Sequence, residues 1–188
     1  CIFHFNNITV LWMLFTFPFQ GYALYSITFS VLYLLGSYWF TWYALKFIPE
    51  ELKNRFSWKL MKFALFYLVL SSLGTWAVGP ISAMAGTDSF WFNDALYFFL
   101  HFLYSGFFFL TLMAALFYFL ERKGIQFNEK RTDSLYVNLN MGVILSYFLS
   151  VLWTQPPLVF YLLGGIGALF QLKGYWEFFR IMFENRKV

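Results

Sequence analysis

The chain is short of charge, cysteine and histidine, and these shortages remove whole classes of protein. Only 12% of its 188 residues are charged, about half the share of an ordinary soluble domain. A soluble globule of this size hides about two thirds of its surface and would have too few charges to coat the rest. The same apolar composition excludes intrinsic disorder. One cysteine excludes an intramolecular disulfide scaffold. Motifs are missing as well: there is no Gly-x-Ser-x-Gly, His-Glu-x-x-His, phosphate-binding glycine loop or Cys-x-x-Cys, so no catalytic residue is assigned by motif. Tyr104-Ser105-Gly106 resembles a serine nucleophile only superficially, with no second histidine placed to serve it.

What the chain has in abundance is apolar and aromatic side chains, at 61% and 26%. A helix crossing the hydrocarbon core needs ~20 residues with few charges. Segments 22–45, 59–79, 93–120, 135–153 and 158–179 meet that requirement. Transmembrane strands would alternate over ~10 residues, and runs such as Phe63-Ala64-Leu65-Phe66-Tyr67-Leu68-Val69-Leu70 do not. Residues 1–21 read as most of a sixth span, truncated at its start and ended by Pro18; they lack the basic leader and cleavage site of a signal peptide. The expected fold is all-α: a polytopic transmembrane helix bundle over 1–188, forming one domain with five spans and a truncated sixth in 1–21.

Charge placement gives an orientation. Lys46, Lys53, Arg55, Lys59 and Lys62 flank one connection, Arg122, Lys123, Lys130 and Arg131 another, and Lys173, Arg180, Arg186 and Lys187 the C-terminal end. The alternate connections, 79–92 and 154–157, hold no basic residue. The positive-inside rule places the basic side and the C-terminus in the cytoplasm, which for a bacterial protein means the inner membrane. Trp39, Trp42, Trp58 and Trp176 then mark the inner boundary, and Trp76, Trp91 and Trp153 the outer one. The net charge of +4 suits contact with anionic lipid, with no nucleic acid required. Residues 48–56 read as a short interfacial helix with proline near its start.

Stripes of small and polar residues suit helix packing in lipid. They run through Ser26, Ser30, Tyr33, Ser37 and Thr41; Ser71, Thr75 and Gly79; Asn138, Gly142, Ser146 and Ser150; and Gly164, Gly167, Ala168, Gln171 and Gly174. The alternative is a polar cavity lined by Asn138, Asn140, Gln171 and His101, since amides and imidazole are costly to bury.

One group resembles a site. At regular helical spacing Asp94, Tyr97, His101, Tyr104 and Ser105 share a face, with His101 ~10 Å below Asp94. Imidazole at that depth can bond to a neighbouring helix, ligate haem iron or another metal, or move protons. Gly106 would admit a flat ring or a second helix. The other histidine, His4, falls ~12 Å away in height on the same arithmetic, a poor second axial ligand. Asp88 and Asp94 are the carboxylates of the outer connection, a pair that could bind a cation but is read as hydrated.

The stretch Ser71-Ser72-Leu73-Gly74-Thr75-Trp76-Ala77-Val78-Gly79-Pro80, with His101-Phe102-Leu103-Tyr104-Ser105-Gly106-Phe107 after it, resembles a pattern of uncharacterised bacterial polytopic membrane proteins. Ser105 and Phe107 stand where that pattern has asparagine and tryptophan. The His-Phe-x-x-x-Gly portion is distantly similar to ligand helices of haem-copper oxidase and nitric-oxide-reductase main subunits. The resemblance covers about 71–121 and implies haem as cofactor, His101 as axial ligand, and Tyr97, Tyr104 and Gly106 beside it. Those subunits need more helices and histidines than this chain offers. Two functions follow: a haem-binding membrane protein through His101, or a permease-like, accessory or structural subunit partnered by lipid and other membrane subunits.

Overall fold

Hydrophobic runs of this length can satisfy their backbone in lipid only by closing hydrogen bonds within each segment, and helices account for nearly all of the chain. The computed structural model describes residues 2–21 and 24–185, with no strand among them. Cys1, Arg186 and Lys187, which entered the reading of the chain ends, lie outside the described residues. In order, the elements are α1 (Ile2–Gln20), α2 (Leu24–Lys46), α3 (Glu50–Lys53), α4 (Phe56–Ala85), α5 (Phe90–His101), a π-helical turn (Phe102–Phe108), α6 (Phe109–Arg122), α7 (Glu129–Ser150), a 3-10 turn (Leu152–Thr154) and α8 (Leu158–Glu184).

Among the described residues, five helical stretches are long and apolar enough to cross a membrane: Ile2–Gln20, Phe56–Ala85, Phe90–Arg122, Glu129–Thr154 and Leu158–Glu184. Their length and composition fit a multi-pass membrane protein. α2 has the length, at 23 residues, but its serines, threonines, tyrosines and tryptophans keep it out of that set. The spans also present large apolar side chains outward, with Leu112, Leu162 and Leu169 more than half exposed, a surface suited to lipid rather than water.

The chain forms two compact units, Cys1–Glu50 and Glu51–Val188. In the first, α1 and α2 pair as a hairpin. Pro18 lies inside α1 rather than ending it. Proline in the last turn removes one N–H bond, and the helix runs on to Gly21, whose φ of +59° turns the chain. Gly36 of α2 sits against Phe5 and Asn6 of α1, leaving no room for a Cβ. The buried hydroxyls of Ser26 and Ser37 donate to the nearby carbonyls of Gly21 and Tyr33, bonds local in sequence, whereas the buried Thr41 hydroxyl of the same stripe makes no hydrogen bond.

In the second unit α4 packs on α5, the π turn and α6, and α7 packs on α8 and touches α5 and the π turn. The core gathers Leu60, Tyr67, Phe102, Leu110, Phe117, Leu135 and Leu139. Small residues set the approach of the helices. A Cβ on Gly74 would lie 2.5 Å from the Ala95 carbonyl oxygen, so α4 and α5 meet at Gly74. Gly79, on the stripe read from spacing, meets nothing within 4 Å. Trp58, expected at the boundary, is buried, whereas Trp76, Trp91, Trp153 and Trp176 are exposed.

One end of this unit is tied by charge. α4 begins without a side-chain cap of its own; instead the Glu121 carboxylate, from the end of α6, accepts from Ser57 N (3.2 Å) and Ser57 Oγ (2.5 Å). A carboxylate there offsets the partial positive charge of the helix start. Arg131 of α7 pairs with Glu184 (2.8 Å) and Glu177 (3.6 Å) of α8.

Candidate functional site

Four helices bring polar side chains together in the second unit, and the π turn decides which. A π-helical turn closes i→i+5 bonds and is wider than a regular one. Phe102–Phe108 holds one residue more than α-helical spacing allows, so the face carrying Asp94 and His101 is not continued by Tyr104 and Ser105. Asp94, Tyr97 and His101 stay with α5, while Tyr104 and Ser105 turn to a separate small cavity. Reading Asp94 through Ser105 as one face assumed regular helix throughout, and that assumption fails at Phe102.

His101 reaches across to α7. Its Nε2 is 2.8 Å from the Val143 carbonyl oxygen. A carbonyl only accepts, so Nε2 donates there, and in the neutral ring Nδ1 accepts from the Ser150 hydroxyl at 3.2 Å. The ring is boxed by Phe102 (centroids 5.1 Å apart) and Tyr147 (5.7 Å). The Tyr147 hydroxyl in turn donates to Asp94 Oδ1 at 3.4 Å. Tyr97 lies beside Trp153 at the same end, 5.9 Å between centroids.

Deeper in the core, Tyr67 of α4 is fully buried. Its ring stacks on Phe102 (5.9 Å, 10° between planes) and covers Gly106, where a Cβ would lie 2.6 Å from Tyr67 Cγ. Its hydroxyl donates to Asn140 Oδ1 at 3.1 Å, and Asn140 Nδ2 donates to the Tyr136 carbonyl at 2.8 Å. Gly106 does admit a flat ring, and that ring is Tyr67.

α7 and α8 meet along the stripes 138–150 and 164–174. Cβ atoms on Gly164 and Gly174 would lie 2.5 and 2.8 Å from Leu149 Cδ2 and Leu139 Cδ2, and one on Gly142 would lie 2.5 Å from Gln171 Cγ. Gly167 rests on the backbone at Ser146. At the centre Gln171 Nε2 donates to Ser146 Oγ at 2.9 Å. Asn138 is buried but bonds within its own helix, to the Ser134 carbonyl (2.6 Å) and hydroxyl (3.1 Å).

Of Asn138, Asn140, Gln171 and His101, Gln171 alone lines the cavity between the π turn and α8, a space of about 230 Å³ shared with Tyr104, Ser105, Phe109, Leu139, Val143 and Tyr175. That is below the ~300 Å³ at which small-molecule pockets begin. Tyr67, Val143 and Tyr147, which spacing did not select, carry as much of the polar seam as Ser146, Ser150 and Gln171, which it did. Tyr67 and Tyr147 had a signal in the sequence, a hydroxyl inside an apolar run; Val143 had none, because its backbone carbonyl makes the contact.

Haem ligation needs an open imidazole nitrogen and a flat space beside it. Both nitrogens of His101 are hydrogen-bonded, and the space over Gly106 holds the Tyr67 ring. The residues present do not fit haem. No cluster of three or more His, Cys, Asp or Glu side chains that could hold a metal occurs among the described residues. No family model, curated protein or solved structure matches the chain.

Proposed function

We propose that this chain is a non-catalytic, multi-pass component of the bacterial cytoplasmic membrane. It acts as an accessory or structural subunit, with its basic connections and C-terminal end in the cytoplasm. The observation that carries this reading is the closure of the polar seam: Tyr67 bonds Asn140, His101 bonds Val143 and Ser150, and Gln171 bonds Ser146. Side chains spent on one another are not presented to a substrate. Interhelical hydrogen bonds in membranes average only ~0.6 kcal/mol, so the seam selects which helix faces meet more than it stabilises them. The outward apolar faces then serve contact with lipid and with other membrane subunits.

Aqueous labelling tests this. In a Cys1→Ser background, Ser146→Cys in sealed vesicles is expected to resist a membrane-impermeant maleimide while a cysteine at Thr87 reacts. Rapid labelling at 146 would overturn the closed seam in favour of a water-filled pathway. Protein purified from haem-replete cells is expected to show no Soret absorption; a band that vanishes in His101→Ala would overturn the reading on the other side.

A further inference from the structure

At the charged end of the second unit, the first turns of α4 and α7 enclose a cleft of about 630 Å³. Its lining combines charged side chains with aromatic rings. Lys53, Arg55, Lys59 and Lys62 supply four cations against the two carboxylates of Glu129 and Asp133, and Phe56, Phe63, Phe66 and Tyr136 supply an aromatic wall. Lys59 is spoken for: its Nζ is 2.6 Å from Asp133 Oδ1 and 4.3 Å from the Tyr136 ring centroid. That pair neutralises Asp133 and leaves Arg55 and Lys62 against the single carboxylate of Glu129. Lys62 is exposed, and Phe66, one turn further along α4, is exposed too. A cation therefore stands directly beside an outward aromatic ring on a helix apolar enough to span a membrane.

We propose that this cleft holds one anionic glycerophospholipid from the surrounding bilayer, its phosphate between Arg55 and Lys62 and an acyl chain along Phe63 and Phe66. The inference rests on the membrane reading above. Charge complementarity selects the headgroup, because basic pockets between helices on the cytoplasmic side suit anionic lipid. The aromatic wall selects a lipid over a free anion, because a soluble phosphate would gain nothing from four rings. The second basic connection offers Arg122 and Lys123, but neither lines the cleft, so it provides an internal comparison of equal charge.

Native mass spectrometry of the full chain in detergent, titrated with phosphatidylglycerol or phosphatidylcholine, tests the site. Wild type is expected to retain one phosphatidylglycerol and little phosphatidylcholine. Arg55→Gln with Lys62→Gln should weaken retention about 30-fold, the effect of two interfacial charges; Arg122→Gln with Lys123→Gln should leave it unchanged. Equal losses in both double variants would reduce the effect to general surface attraction and overturn the site, as would equal retention of the two lipids. Competition by millimolar inorganic phosphate would assign the cleft to a soluble anion instead. Size-exclusion profiles of both variants check folding, and resistance of wild type in phosphatidylcholine vesicles to carbonate extraction tests membrane insertion separately.

Discussion

The Tyr67 hydroxyl and the Asn140 side-chain oxygen lie 3.1 Å apart in the buried centre of the second unit. This bond joins α4 to α7 across the π turn, and the Tyr67 ring that carries it also fills the hollow over Gly106. Hydrogen bond and packing are thus separable by substitution. Tyr67→Phe should cost ~0.6–1.7 kcal/mol, the range of interhelical hydrogen bonds in membranes. Tyr67→Ala should cost ~3–5 kcal/mol, as large aromatic truncations do. Unfolding in mixed micelles measures both; equal losses would mean the ring contributes nothing beyond its hydroxyl.

Neighbouring glycines of α8 make a sharper test of close packing. Gly164 faces Leu149, while Gly165 meets nothing within 4 Å. Gly164→Ala should destabilise by ~1–3 kcal/mol through overpacking. Gly165→Ala should be neutral or stabilising by up to ~1 kcal/mol, since alanine restricts the unfolded chain and favours helix. Thermal denaturation of the two variants in one detergent decides it, and the reverse order would contradict the α7–α8 contact.

Glu121 serves α4 from another helix. Glu121→Ala should lower stability by ~0.5–2 kcal/mol, the value of a lost helix cap, with faster amide exchange confined to the first turn of α4. Glu121→Gln keeps an acceptor and should retain most of that protection. Exchange spread evenly along α4 in Glu121→Ala would argue against a capping role.

His101 separates donor from shape. His101→Gln can still donate to the Val143 carbonyl and should hold more stability than His101→Phe, which loses the bonds to that carbonyl and to the Ser150 hydroxyl, at ~0.5–1.5 kcal/mol for each hydrogen bond. Unfolding of the two variants provides the comparison. Equal stability would make the ring, not its hydrogen bonds, the feature that α7 needs.

Much of the fold could be read from the sequence because lipid imposes a length and a polarity on each span; segments 59–79 and 158–179 lie within single helices, 93–120 crosses the π turn, and 135–153 runs past the end of α7 at Ser150. Boundaries were harder. Helices overrun the apolar core at their charged ends, as α7 does from Glu129, and composition marks only the hydrocarbon. Pro80 gives a second case: it lies inside α4, where a local reading would stop. The seam was legible in part, since Ser146 and Gln171 stood out by spacing. Of the partners of His101, Ser150 lay on a stripe that spacing picked out, but Val143 did not, because a backbone carbonyl has no letter of its own, and the π turn between them leaves no compositional trace.

That turn has a consequence for length variation along this stretch. One residue removed between Phe102 and Phe108 would let ordinary pitch resume, swinging everything downstream by about 100° and drawing it back ~1.5 Å. Glu121 would then swing off Ser57, and α4 would lose its borrowed anchor at the far end. A single-codon deletion here would thus be felt well downstream, at the contact between Glu121 and Ser57.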